Sequence, residues 1–479
     1  MSGLLVAGTT SDAGKSVVTT GLCRAFARRG VAVAPYKAQN MSNNSMVCRS
    51  PDGSMAEIGR AQWVQALAAG VTPEPAMNPV LLKPGSDRRS HVVLMGEPAG
   101  EVSASDWESG RRHLARAAHE AYDDLAGRFE VVVAEGAGSP AEINLRAGDF
   151  VNMGLARHAD LPTIVVGDID RGGVFAAMYG TLALLEPADQ DLVAGFVVNK
   201  FRGERALLSP GLESLEGLTG RRVFGVLPWD PALWLDSEDA LDLDGRRADG
   251  GGTRTVAVVR LPRISNFTDV DALGLEPDLD VVFASAPRDL ADADLVVLPG
   301  TRATIADLAW LRAHGLDHAI RAHVRRGRPV LGICGGCQML GRTIADPHGV
   351  EGPPGTVEGL GLLDLDTTFG PEKALRIHEP AGYEIHHGRV AGEHVRGQVV
   401  GTMVHGAMED DDHRATYLAQ ALGVASRASF PAARERRLDR LGDLVERHLD
   451  VGALLDLARH GAPAHPPSIP LGRSPGGAA

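Results

Sequence analysis

Twice along this chain, short apolar runs alternate with helical patterns, and that alternation limits the fold more than any other feature. In the first block, residues 4–7, 31–36, 131–134, 163–166 and 192–198 are dense in Val, Ile and Leu, and helical patterns occupy 15–29 and 113–128. Runs this uniformly apolar, separated by helices, predict parallel strands buried on both faces. A second block repeats the pattern with apolar runs at 255–260, 279–283, 294–298 and 329–333, and an amphipathic helix over 438–457 closes it. Between the blocks, residues 234–254 turn acidic and then Gly-rich, which is linker composition. After residue 460 the chain is rich in Pro and Gly, as disordered segments are. The expectation is an α/β protein of two domains, each a mainly parallel sheet covered by helices. They span 1–233 and 255–459, joined by the 234–254 linker and followed by a disordered tail at 460–479.

The chain has 479 residues, enough for two or three cores. Its 44% hydrophobic and 23% charged residues match a soluble globular protein. No apolar run approaches the ~20 residues of a membrane span, and the start of the chain shows no secretory leader, so a cytoplasmic location with no membrane partner is expected. The net charge of −13 and the 4% aromatic content argue against nucleic acid as the main partner, which needs a basic footprint or stacking platforms. Four cysteines are too few for a disulfide framework.

The first apolar run ends in Gly8-Thr9-Thr10-Ser11-Asp12-Ala13-Gly14-Lys15-Ser16, with a helical pattern after it. Strand, glycine-rich loop, Lys-Ser and helix are the context of a phosphate-binding loop. Its backbone N–H groups, with Gly8, Thr10 and Gly14 in the loop, would cradle phosphate oxygens. Lys15 would add a point charge and Ser16 a Mg²⁺ ligand. Other polar segments fall at strand ends, where ligands of such sheets bind. Lys37 opens one of them and reads as nucleotide-binding. Glu135 and Asp168 end two further strands and read as Mg²⁺ ligands; a turn or cap acid is the plainer alternative for Glu135. Asn199, at the end of the 192–198 run, reads as a nucleotide contact. The chemistry implied is ATP with Mg²⁺.

Residues 329–338, PVLGICGGCQ, form a second strand-to-helix turn with Cys334 at its tip. A sharp turn exposes a nucleophile, the glycines prevent clashes, and the helix start favours a thiolate. The C-x-x-C spacing also fits a redox pair, and two cysteines alone do not make a zinc site. Cys337 reads as a buried, inert residue. A thiolate needs a base, and His405 ends the short run Gly401-Thr402-Met403-Val404. Gly300 and Thr301 follow another apolar run and could supply an N–H to an oxyanion. Residues 382–388, GYEIHHG, form a further polar group.

The C-terminal half resembles the class I glutamine amidotransferases, with Cys334 at the nucleophile position and His405 at the base position. Many such enzymes carry Glu two residues after that His; Ala407 stands there and Glu409 lies further on. The five residues between Gly8 and Gly14-Lys15-Ser16 make the loop similar to that of dethiobiotin synthetase and its relatives. Together the halves resemble the cobyric acid synthase family. The matching segments are GTTSDAGKS (8–16), YKAQNMSNNS (36–45), AEIGRAQ (56–62), NPVLLKP (78–84), EGAGSPAEINL (135–145), GDIDRGGVFA (167–176), VNKFRG (198–203), RISNFTD (263–269), LPGTRATIADL (298–308), GICGGCQMLG (332–341) and GYEIHHG. The resemblance runs from about residue 3 to about residue 450. It implies a cobalamin-pathway ligase that amidates the b, d, e and g carboxylates of adenosylcobyrinic acid a,c-diamide, with ATP as phosphoryl donor and glutamine as ammonia donor. Two rivals remain: the sister family that makes cobyrinic acid a,c-diamide, and a regulatory phosphate-loop ATPase with an inactive amidotransferase domain. Partitioning ATPases carry an additional early Lys, and positions 9–13 hold none. Only residues 389–402 separate GYEIHHG from Met403-Val404-His405-Gly406, which predicts a trimmed surface loop there.

Overall fold

In the computed structural model, which describes residues 2–86, 89–103, 111–231, 233, 251–462 and 467–469, two parallel sheets take up the apolar runs. The first has the order Arg222–Pro228, Val193–Phe201, Thr163–Asp168, Gly3–Gly8, Val131–Glu135, Val33–Tyr36. All neighbours are parallel. Every residue of Gly3–Gly8, Val131–Glu135 and Thr163–Asp168 is buried, because helices cover both faces. Arg222–Pro228 was not legible as a strand, since Arg222 and Gly225 dilute its apolar run.

The order places a switch point at the centre of this sheet. From Gly3–Gly8 the chain passes through helix Lys15–Arg28 toward Val33–Tyr36 on one side. From Thr163–Asp168 it passes through helix Val174–Leu184 to Val193–Phe201 on the other. The carboxyl ends of these two neighbours therefore flank the crevice where ligands of such sheets bind, and the glycine-rich loop lies there.

The second sheet has the order Leu279–Ala284, Arg254–Val259, Leu295–Leu298, Val330–Ile333, Val399–Thr402, Val395–Arg396. It is parallel except for the last pair. Tyr383–Gly392 passes almost directly into this edge hairpin, so the connection is short, as its length suggested. Three smaller sheets were not foreseen, because their strands mix polar and apolar residues without a clean period of two. One sheet pairs Gln39–Met41, Val80–Ser86, Arg89–Leu94 and Glu97–Ser103. A hairpin joins Ser45–Arg49 to Met55–Gly59. The third combines Gly355–Glu358, Thr343–Asp346, Leu365–Ile377 and Tyr383–Gly392. The polar stretch that Lys37 opens is thus partly strand.

The closing amphipathic helix expected over 438–457 is two helices, Phe430–His448 and Val451–His460. Asp450 divides them and caps the second by accepting from the Ala453 N–H at 3.0 Å. Apart from Phe430, which is buried in the core of the second half, their apolar faces do not join the second sheet. Leu438, Val445, Val451 and Leu454 share a core with Leu4, Val18, Leu22 and Phe26. A Cβ on Gly21 would lie 2.4 Å from Val445 Cγ2, so the helices touch almost backbone to side chain. Arg24 and Arg28 add ion pairs to Asp439. An amphipathic pattern states that a face must be buried, not which sheet buries it.

Most of the expected linker, residues 234–250, lies outside the described residues, as does most of the segment read as a tail. Within that segment, Ile469 exchanges hydrogen bonds with the Gln190 side chain at 2.8 and 3.1 Å, so residues 467–469 pack on the first half. Among the described residues no helix is long and apolar enough to cross a membrane.

Candidate active sites

Cys334 ends strand Val330–Ile333 and starts helix Gly335–Leu340. Its backbone sits at φ 50° and ψ −107°, a conformation that side chains rarely adopt and that is held only by close surroundings. The surroundings are visible. The Cys334 N–H donates to Thr402 O at 2.7 Å. A Cβ on Gly336 would lie 1.9 Å from Leu298 O, and one on Gly335 would lie 3.1 Å from Thr301 N. The elbow therefore presses onto the end of strand Leu295–Leu298, and Thr301 stands beside it as the spacing suggested. Cys337 is fully buried, and burial pushes its thiol up to about 12, which leaves it unreactive.

His405 follows strand Val399–Thr402 on the neighbouring side of the elbow, is 1% exposed and lies close enough to Cys334 for the sulfur to act on its ring. Burial alone would lower its pKa. The Asp269 carboxylate and the Cys334 sulfur outweigh burial and raise the imidazole to about 10. Asp269 Oδ2 accepts from His405 Nδ1 at 2.7 Å, and Oδ1 accepts from the Gly406 N–H at 2.8 Å. One carboxylate thus fixes both the ring and the turn after it. Tyr383 completes the clamp, with its ring centroid 5.3 Å from that of His405 and two backbone hydrogen bonds between them.

Asp269 was missed as the residue that orients His405. It lies in RISNFTD, a segment visible in the sequence, but 136 residues from His405. Glu409, the nearest acid after His405, points away and pairs with Arg60 and Arg434. In GYEIHHG, Glu384 binds His378 and His386 at 2.8 and 3.0 Å, a cluster of its own, and Tyr383 is the member that reaches His405.

In the first half, Gly14 has φ 98°, and a Cβ there would lie 1.9 Å from Asn199 Nδ2. Only glycine meets both demands. Asn199 Nδ2 donates to Ala13 O at 2.9 Å, so it supports the loop from beneath. The Lys15 ammonium donates to the carbonyls of Thr10, Ser11 and Gly138 at 2.9, 3.0 and 3.2 Å, and its side chain covers Gly8. Ser16 Oγ donates to Glu135 Oε1 at 2.9 Å, and Lys37 Nζ reaches the same oxygen at 2.9 Å. Burial would raise the Glu135 pKa, but Lys37, Gln65 and Lys15 more than compensate and keep it ionised. Asp168 stands apart. Its Oδ2 pairs with Lys200 at 2.8 Å and its Oδ1 caps the Asp170 N–H. The structure thus gathers Lys15, Ser16, Lys37 and Glu135, and sets Asp168 in a separate ion pair.

Comparison with known proteins follows the same division. The profile of the CobQ/CobB/MinD/ParA nucleotide binding domain matches residues 4–242, and that of the CobB/CobQ-like glutamine amidotransferase domain matches residues 255–418. The cobyric acid synthase of Mycolicibacterium gilvum is 74% identical over 98% of this chain and 100% of its own length. The chain belongs to the cobyric acid synthase family. Those of Mycolicibacterium vanbaalenii and Mycobacterium marinum are 71% and 70% identical, again over 98% of this chain and all of theirs. As a member of the cobyric acid synthase family, this chain carries Lys15, Ser16 and Glu135 within the nucleotide-binding match. Asp269, Cys334 and His405 fall within the amidotransferase match.

Proposed function

We propose that the chain spends ATP and glutamine to amidate the b, d, e and g carboxylates of adenosylcobyrinic acid a,c-diamide, giving adenosylcobyric acid. The observation that carries this reading is the Cys334–His405–Asp269 line on the same chain as the Lys15–Ser16–Glu135 group. In the second half, the Cys334 thiolate attacks the glutamine side-chain amide. The His405 imidazolium protonates the departing ammonia, and water then hydrolyses the thioester to glutamate. Asp269 keeps the proton on Nδ1 and the ring facing the sulfur. Backbone N–H groups beside the elbow, Thr301 among them, stabilise the oxyanion.

In the first half, a corrinoid carboxylate attacks the γ-phosphoryl group of ATP and releases ADP. Ammonia displaces phosphate from the acyl phosphate to leave the amide. Lys15 and the loop N–H groups hold the phosphates. The Ser16 hydroxyl and the ionised Glu135 offer hard oxygen donors, which suits Mg²⁺. When bound, the metal would neutralise phosphate charge. Asp168, already paired with Lys200, is supported less well as a ligand.

The test is incubation with adenosylcobyrinic acid a,c-diamide, Mg-ATP and glutamine, with the corrinoid followed by mass spectrometry. Four successive conversions of carboxylate to amide are expected. Cys334→Ala should abolish the reaction with glutamine and keep it with ammonium chloride. Amidation of cobyrinic acid alone would point to the sister family, and ATP binding without any corrinoid reaction to a regulatory ATPase.

A further inference from the structure

A buried arginine from the first half reaches the residues that hold His405. Arg60 opens helix Arg60–Ala69 and is 1% exposed. Its guanidinium donates to Glu409 Oε1 at 2.7 Å, across 349 positions of sequence. Glu409 ends the short turn Ala407–Glu409 that follows His405-Gly406, and its other oxygen accepts from Arg434 at 2.6 Å. Arg60 also bears on the Tyr383 phenol. Burial drives that hydroxyl's pKa well up, and the guanidinium opposes it. Tyr383 in turn covers the His405 ring and exchanges backbone hydrogen bonds with it. Arg60 therefore grips the turn that follows His405 and places its charge near the ring that covers it.

The helix that carries Arg60 is anchored at two further points. The Arg60 N–H donates to Asn44 O at 3.1 Å. Gln65 Nε2 donates to Glu135 Oε2 at 2.6 Å, on the carboxylate that Ser16 and Lys37 share. A short helix thus runs from the phosphate-loop carboxylate to the glutaminase site. Desolvating a guanidinium is costly, and an apolar contact of equal volume would join the halves as well or better. The charged contact adds direction and register.

We infer that Arg60 is a positioning residue for glutamine hydrolysis, supplied by the nucleotide-binding half. It holds the 406–409 turn, through Glu409, so that His405 faces Cys334. The assignment rests on the proposed function above. The full chain, Arg60→Gln and Arg60→Lys decide it through three readouts: steady-state glutamine hydrolysis, corrinoid amidation with ammonium chloride, and Cys334 alkylation by iodoacetamide against pH.

Arg60→Gln should lower kcat for glutamine about 10- to 100-fold, the scale of a misplaced catalytic group, with KM and ammonia-dependent amidation unchanged. Its alkylation profile should move to higher pH, because a displaced imidazolium no longer stabilises the thiolate. Arg60→Lys should recover part of the loss. Unchanged kcat in Arg60→Gln would overturn the inference. So would a parallel fall of glutamine- and ammonia-dependent rates with an unmoved alkylation profile, since that marks a purely structural role. If Arg60→Gln fails to fold, Glu409→Gln breaks the same contact from the other side and is judged identically. Wild-type protein that cannot amidate the corrinoid with ammonia would overturn the proposed reaction, and the alkylation profile would still decide the role of Arg60.

Discussion

Asp269 does for His405 what a carboxylate two residues further along the chain does in many amidotransferases, and it comes from another loop to do so. Its two oxygens hold the imidazole Nδ1 and the Gly406 N–H, so the ring cannot turn without breaking both. Asp269→Asn should therefore lower glutamine-dependent kcat by about 10²- to 10⁴-fold, the usual scale for losing an acid–base partner or its tautomer, while ammonia-dependent amidation persists. The pH dependence follows from the sign of the shift. Asp269 helps hold His405 up at about 10, so its loss lowers that pKa and the imidazolium gives up its proton at lower pH. The alkaline limb of the glutaminase pH profile should move toward neutrality. An alkaline limb unmoved in Asp269→Asn would remove Asp269 from this role.

At the scale of elements, the contact of helix Lys15–Arg28 with Phe430–His448 binds the end of the chain to its beginning. Gly21 permits it: a Cβ there would meet Val445 Cγ2 at 2.4 Å and Leu441 O at 3.1 Å. Two effects oppose each other in Gly21→Ala. Alanine favours an exposed helix interior over glycine by about 1 kcal/mol, whereas overpacking a close contact costs about 1–3 kcal/mol. The overpacking should win. The variant should denature at lower urea concentration, and because this helix follows the phosphate loop, ATP affinity should weaken with it. A more stable Gly21→Ala protein would show that the two helices part without cost. The half-exposed ion pairs of Arg24 and Arg28 around this contact contribute little by comparison.

For the whole molecule, the junction between halves is built from buried charge. Glu57 is 1% exposed and pairs with Lys83 of its own half and Lys373 of the other. Burial would raise its pKa, and the two ammonium groups hold it far below the usual carboxylate range. Glu57→Gln strips the carboxylate from buried Lys83, already pushed down to about 7 by burial, and from half-buried Lys373, which should cost about 3–5 kcal/mol. Adding Lys373→Met should restore part of the loss, and a double-mutant cycle in urea denaturation measures the coupling. Strictly additive effects would mean that Glu57 and Lys373 do not act as a pair.

What the sequence determined by itself is local. Strand Gly3–Gly8 with its loop, and strand Val330–Ile333 with its elbow, were legible because backbone geometry and burial on both faces demand particular residues over a few positions. The same holds for Cys334, His405, Lys15 and Ser16, each placed by its immediate neighbours. Tertiary structure decided what depends on distant chain meeting: Asp269 on His405, Arg60 on Glu409, Asn199 beneath Gly14, and Asp168 drawn to Lys200 and away from Glu135. It also decided that helices Phe430–His448 and Val451–His460 cover the first sheet. An apolar face or a charge requires a partner, and local pattern states that requirement without naming the residue, far along the chain, that meets it.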